Sequence, residues 1–112
     1  MRVTVLAVAL VVSVAQLCCA NAQNTTYYQT GNAINENCNS NGAADNLFIY
    51  GYVEGVIDAR QYIADGYCIP SPVQARQLRD VVCMYIQNNP QNRQIPAGYL
   101  VIEALKQAWP CQ

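Results

Sequence analysis

The stretch from Cys68 to Pro90 constrains the fold more than any other part of this chain. It opens Cys68-Ile69-Pro70-Ser71-Pro72, continues as an amphipathic run and closes Asn88-Asn89-Pro90. Ser71 can cap a helix, its hydroxyl accepting from a free backbone N–H of the first turn. Pro72 suits the first helical position, where its missing N–H costs nothing. Leu78, Val81, Val82, Tyr85 and Ile86 recur at three- and four-residue spacing and line one face. Pro90 ends the run and biases Asn89 away from helical angles. Start, period and stop agree on a helix. Arg76 falls off the stripe and faces water; Cys83 sits mid-helix beside it, placed to be buried or bonded.

A helix of this length needs others to pack against, and the chain supplies them. Thr30 or Asn32 can cap a short helix to about Cys38, with Ile34 and Cys38 one turn apart. Asn39–Gly42 is a loop by composition. A second long helix is expected from about Ala43 to Ala64. Leu47, Phe48, Tyr50, Tyr52, Val53, Val56, Ile57, Tyr62 and Ile63 leave it little polar surface, so it should be the most buried element. Gly51 and Gly55 lie four apart within it. Glycine costs about 1 kcal/mol in a helix interior, and close approach of a neighbouring helix is the expected reason for two of them. Glu54 and Asp58 would repel at this spacing unless paired, with Arg60 or Arg79 as candidate partners. Asp65-Gly66 should end the helix, glycine supplying a left-handed turn. Gln91–Ile95 reads as a polar loop. Pro96 begins a last helix to about Ala108, with Leu100, Val101, Ala104, Leu105 and Ala108 on one stripe. The fold class is therefore all-α: a small four-helix domain, orthogonal or bundle-like, stapled by disulfides. Eight tyrosines against one phenylalanine suit amphipathic packing at the core's edge, with some left for an exposed binding face.

The chain begins with Arg2 and an apolar run from Val3 to Leu17, short for a membrane span. Ala20-Asn21-Ala22 has the small-x-small form of a signal-peptidase site. Residues 1–22 are read as a secretory signal peptide and 23–112 as a single domain, the product being soluble. Cleavage removes Arg2 and leaves five basic against seven acidic side chains, a net −2. That balance gives no footprint for nucleic acid or a membrane surface. A domain of about 90 residues buries roughly 60–65% of its chain surface on folding and benefits from covalent help. Asn24-Thr25-Thr26 is a glycosylation sequon, relevant only in a eukaryotic host.

Cys18 and Cys19 leave with the leader, so Cys38, Cys68, Cys83 and Cys111 remain. An even number in a small exported domain implies two disulfides, with three connectivities. Cys83 lies about 16 Å along the helix axis from Pro72, too far for the short Ile69–Ser71 linker to bring Cys68 within the ~7 Å a bond allows. Cys38–Cys83 with Cys68–Cys111 is the preferred pairing, and Cys38–Cys68 with Cys83–Cys111 the second. A zinc site is disfavoured, because the chain has no Cys-x-x-Cys pair and no histidine. Without histidine the common base-activated nucleophiles are also missing, so no catalytic residue and no cofactor is assigned.

With these pieces in order, the chain resembles the Rap/Tai immunity proteins of bacterial type VI secretion. The resemblance rests on Thr30-Gly31-Asn32 before a helix ending at Cys38, and on Gly51-Tyr52-Val53-x-Gly55-Val56-x-Asp58. It continues through Cys68-Ile69-Pro70, Gln77-Leu78-x-Asp80-Val81-Val82-x-x-Tyr85 and Asn89-Pro90. It closes on Leu100-Val101-x-x-Ala104-Leu105-x-x-Ala108-Trp109-Pro110-Cys111. The chain departs from the pattern in lacking a cysteine near the start of the Gly-Tyr helix and in adding Cys83. The resemblance implies a helical, disulfide-bearing periplasmic or secreted protein, often a homodimer, whose partner is a cognate toxin. In part of the family that toxin is a peptidoglycan amidase with a papain-like cysteine, and the immunity protein plugs its cleft. The alternative is a small secreted helical domain that binds an unrelated partner. For an inhibitor, the candidate contacts are Arg76 and Arg79 on the outer helix face and Asn88, Gln91, Arg93 and Gln94 in the loop that follows. Arg93→Asp is expected to weaken binding without unfolding the domain.

Overall fold

The computed structural model describes residues 27–60, 63 and 66–112; the leader, the sequon and Tyr62 lie outside them. Four α-helices follow one another: α1 (Gly31–Asn39), α2 (Ala43–Arg60), α3 (Ala75–Asn88) and α4 (Ala97–Ala108), with a 3-10 turn at Pro90–Asn92. No strand occurs among the described residues.

Thr30 caps α1, its hydroxyl accepting from the Ala33 N–H at 3.3 Å. Two further N–H groups of this helix start would be orphaned. They reach across to the loop before α4 instead: Gly31 donates to Ile95 at 3.0 Å and Asn32 to the Arg93 carbonyl at 2.7 Å. Gly31 is glycine because of that approach, since a Cβ there would overlap Leu100 and lie 2.8 Å from Arg93 Cα.

α3 begins later than Ser71 and Pro72 suggest. Pro70–Val73 is a turn closed by the Val73 N–H on the Pro70 carbonyl at 3.1 Å, with the Ser71–Pro72 peptide cis. Gln74 is the residue that flanks the helix, and its N–H is taken by the Gln77 side chain at 3.0 Å. The apolar stripe is as read: Val82, Cys83 and Ile86 are buried, while Leu78, Val81 and Tyr85 pack at the core's edge.

α4 is the most buried helix. Ala97, Leu100, Val101, Ala104 and Leu105 are sealed from water, although Ala108 faces out. Around them gather Ile34 and Cys38 of α1, Ile49 and Val53 of α2, and the buried triplet of α3. Each fully buried Leu, Ile or Val side chain in such a cluster is worth about 1.5–3 kcal/mol.

The expectation for α2 is overturned. Only Ile49 and Val53 are buried on it, and Leu47 and Phe48 are 67% and 40% exposed. A Cβ at Gly51 or Gly55 would meet nothing within 4 Å, so among the described residues no helix approaches them. The reason is distribution: α2 packs on α1, α3 and α4 through one side, and its apolar residues spread around the helix rather than on that side alone. Arg79 does not reach Glu54 or Asp58 either; it pairs with Asp80. The described part of α2 is Ala43–Arg60; the expected end at Ala64 and Asp65 lies outside the described residues, and Gly66 does take the left-handed conformation, with φ +79°.

Both disulfides form in the preferred pairing. Cys38–Cys83 ties α1 to α3 inside the core, with Cα atoms 5.6 Å apart. Cys68–Cys111 ties the loop before α3 to the tail, Cα atoms 5.0 Å apart, and both of its cysteines are exposed. Around it the Cys68 N–H meets the Trp109 carbonyl at 2.8 Å and the Cys111 N–H meets Gly66 at 3.3 Å. Among the described residues, no helix is long and apolar enough to cross a membrane.

Candidate partner-binding surface

The side chains that could make a site sort by position along α3. Arg76, Gln77, Asp80, Met84, Gln87 and Asn88 are all exposed. At about 100° per residue they share one side of the helix and form a continuous outer ridge. Arg76 and Asn88 stand at its two ends, roughly 18 Å apart.

A recess flanks each end. Near Arg76 the recess is polar, about 550 Å³, lined by Ser40, Asn41, Asn46, Tyr50 and Arg79 among others. Its wall is braced from below: the Ser40 hydroxyl bonds the Asp45 carboxylate, and the Gly42 N–H returns to Ser40 at 3.0 Å. Near Asn88 the recess is mainly apolar, about 290 Å³, between Val81, Met84 and Tyr85 of α3 and Ala104 and Ala108 of α4. Burial pushes the Tyr85 phenol above its ordinary value, and the charges of Glu103 and Tyr99 add to this. It therefore stays a neutral donor at physiological pH.

The candidate residues are not equivalent. Arg76 is free and solvent-facing. Arg79 is half-buried, donating to Asp80 at 3.0 Å and to the last-turn carbonyl of Cys38 at 3.4 Å, which braces the end of α1. Asn88 and Gln94 are exposed, and Gln91 folds back on Asn89 at 3.3 Å. Arg93 has an internal task. Its Nε donates to Ile86 O at 2.9 Å and its Nη2 to Gln87 O at 2.7 Å, closing the carboxyl end of α3. These bonds bear on the expectation that Arg93→Asp weakens binding without unfolding the domain: the change removes a helix cap and sets a negative charge against carbonyls, so it costs stability as well as any contact.

Met84, 57% exposed, was missed. Its signal is visible in the sequence, as the one large apolar residue of α3 that falls off the stripe. Leu47 and Phe48 carry no comparable signal, because α2 is apolar all round.

Chemically, the surface offers recognition. All four described cysteines are in disulfides, and no group of His, Cys, Asp or Glu among the described residues could hold a metal ion. In comparison with known proteins, the family profile described as Rap1a immunity proteins matches residues 30–111. No curated protein and no solved structure gives a significant match.

Proposed function

The chain belongs to the Rap1a immunity protein family, and on that premise we propose that it binds and neutralises a cell-wall-cutting toxin of the peptidoglycan amidase type, delivered by type VI secretion, by occluding its active site. Immunity to a toxin partner is the family's role, and the family is in general non-catalytic. Two disulfides suit an oxidising, extracytoplasmic compartment, and the periplasm is the one proposed here.

The observation that carries the reading is the α3 ridge on a scaffold clamped at both ends. A plug must keep its shape when pressed into a groove, because ordering a loose segment on binding subtracts from affinity. Cys83 anchors the middle of α3 to α1, Arg93 closes its carboxyl end, and Gln77 closes its start. The exposed Met84 offers an apolar anchor beside a recess, with Arg76 and Asn88 as polar contacts at either end, the arrangement expected of a small hot spot with a polar rim.

The test is protection. Cells exporting a cell-wall amidase toxin encoded in this gene's neighbourhood should survive when they also export this chain. Met84→Asp and Arg76→Glu should abolish or weaken protection while leaving the melting temperature unchanged. Lysis despite abundant, folded, oxidised protein would refute the proposal.

A further inference from the structure

The outward face of α2 is a second surface, and no other described residue covers it. Ordered around the helix at about 100° per residue, its exposed positions run from Glu54, Leu47 and Asp58 through Gly51 and Gly55 to Phe48. The two glycines make a shallow trough along the helix axis, open because a Cβ at either would touch nothing. On one side the trough has an acidic rim, where Glu54 and Asp58 have no hydrogen-bond or ion-pair partner among the described residues. On the other side it descends past Phe48, stacked on Tyr52 at 5.9 Å between ring centroids, into a groove of about 330 Å³. That groove is lined by Val56, Ala59 and Arg60 of α2 and by Gly98, Tyr99 and Ile102 of α4, with the Arg60 side chain at its edge half-buried and engaged elsewhere.

Glycine is the least favourable residue in a helix interior after proline, and here no contact among the described residues explains two of them. What they permit is the close approach of another backbone from outside. We infer that this face seats a cationic amphipathic helix of a partner protein. Its apolar side enters the groove beside Tyr99 and Ile102, and its Lys or Arg residues lie over Glu54 and Asp58. A second copy of this chain is a poorer occupant: face-to-face pairing would gather the Glu54 and Asp58 carboxylates of both copies, and the one basic residue of α2, Arg60, is half-buried and already has a partner. The contact is independent of the toxin-neutralising role proposed above, and its test needs no toxin.

The probes are two synthetic helical peptides of equal length and identical apolar stripe, one flanked by lysines and the other by glutamates. Each is titrated into the oxidised chain, with binding read by anisotropy and mapped by amide chemical shifts. The lysine peptide should bind saturably and shift Leu47, Gly51 and Gly55. The Glu54→Lys/Asp58→Lys double variant should lower affinity about tenfold, as two surface ion pairs would. Gly51→Gln and Gly55→Gln, which fill the trough without touching the core, should abolish binding while melting no lower than the parent. Equal binding of both peptides, binding of neither, shifts confined to another surface, or a dimer in sedimentation that Gly51→Gln dissolves would each overturn the inference.

Discussion

Truncating Arg93 tests whether it holds the fold or meets a partner. Its guanidinium closes two carbonyls at the end of α3, Ile86 O at 2.9 Å and Gln87 O at 2.7 Å. A hydrogen bond from a charged donor is worth about 1.5–3 kcal/mol net. Arg93 is only half-buried, so water replaces part of each bond, and about 1 kcal/mol apiece is the reasonable share. A cation at a helix carboxyl end adds about 0.3–1 kcal/mol. Arg93→Ala should therefore cost about 2–3 kcal/mol, which lowers the melting temperature of a domain this size by roughly 10–20 °C. Arg93→Asp should cost more, by opposing the helix dipole. Arg93→Lys keeps the charge but not the planar fork, so its loss should fall between the parent and the alanine variant. Urea and thermal unfolding with the disulfides intact give the numbers. A shift under about 3 °C for Arg93→Ala would refute the capping argument. Toxin protection measured where the variant is still folded then separates the two roles, since a capping residue lowers protection only as the folded fraction falls.

The disulfides should yield in order. Under a dithiol reductant with alkylation, exposed Cys68 and Cys111 should label before Cys38 and Cys83, which are 8% and 4% exposed. Each bridge closes a loop of 43 or 45 residues, worth about 4 kcal/mol by chain entropy, so full reduction should lower the melting temperature by many degrees; simultaneous labelling or no shift would contradict this. Gly51→Ala and Gly55→Ala should each raise stability by about 0.5–1 kcal/mol, since nothing crowds the new methyl. Gly31→Ala should lose about 1–3 kcal/mol by driving a methyl into Leu100 and the Arg93 backbone, and a neutral result in urea would be evidence against that packing. Alkali should destabilise the fold. The Tyr52 and Tyr85 phenols are both raised above 10.0, chiefly by burial. Their share of stability is present in full below about pH 10 and lost as pH climbs through the folded values. Urea midpoints between pH 8 and 11.5 should fall more steeply for the parent than for the Tyr52→Phe/Tyr85→Phe variant.

Much of the fold was legible because several local signals coincided. In α3 and α4 the apolar period and the stop signals agreed, and both helices lie as read apart from the first residues of α3 and the exposed Ala108. There, Ser71-Pro72 mimics a cap followed by a first-turn proline. The same two residues serve equally well in a turn, and Gln74 with Gln77 supplies the helix start farther on. The capping role of Arg93 was not legible for a different reason. An arginine in a polar loop looks solvent-bound in sequence, and only the return of that loop over the end of α3 shows the carbonyls it closes.

The misplacement of α2 has a further consequence. An apolar helix reads as buried because water must be kept from it, but sequence does not say which molecule keeps it away. In this chain the shared core is filled chiefly by α4 and α3, and α2 covers it with one side only. The disulfides bear on why such an arrangement holds. A domain of about 90 residues that leaves Leu47, Phe48, Met84 and Tyr99 in water forgoes part of its own core. Two long loops closed covalently restore several kcal/mol without using any surface. The clamps thus let a small protein keep its apolar side chains outward, on the α3 ridge and in the α2 trough, where a partner can bury them. If so, removing Cys68–Cys111 should be partly compensated by Gly51→Ala and Gly55→Ala, which strengthen α2 from within. A reduced chain that gains nothing from those two substitutions would refute the stabilisation assigned to them on the open face of α2.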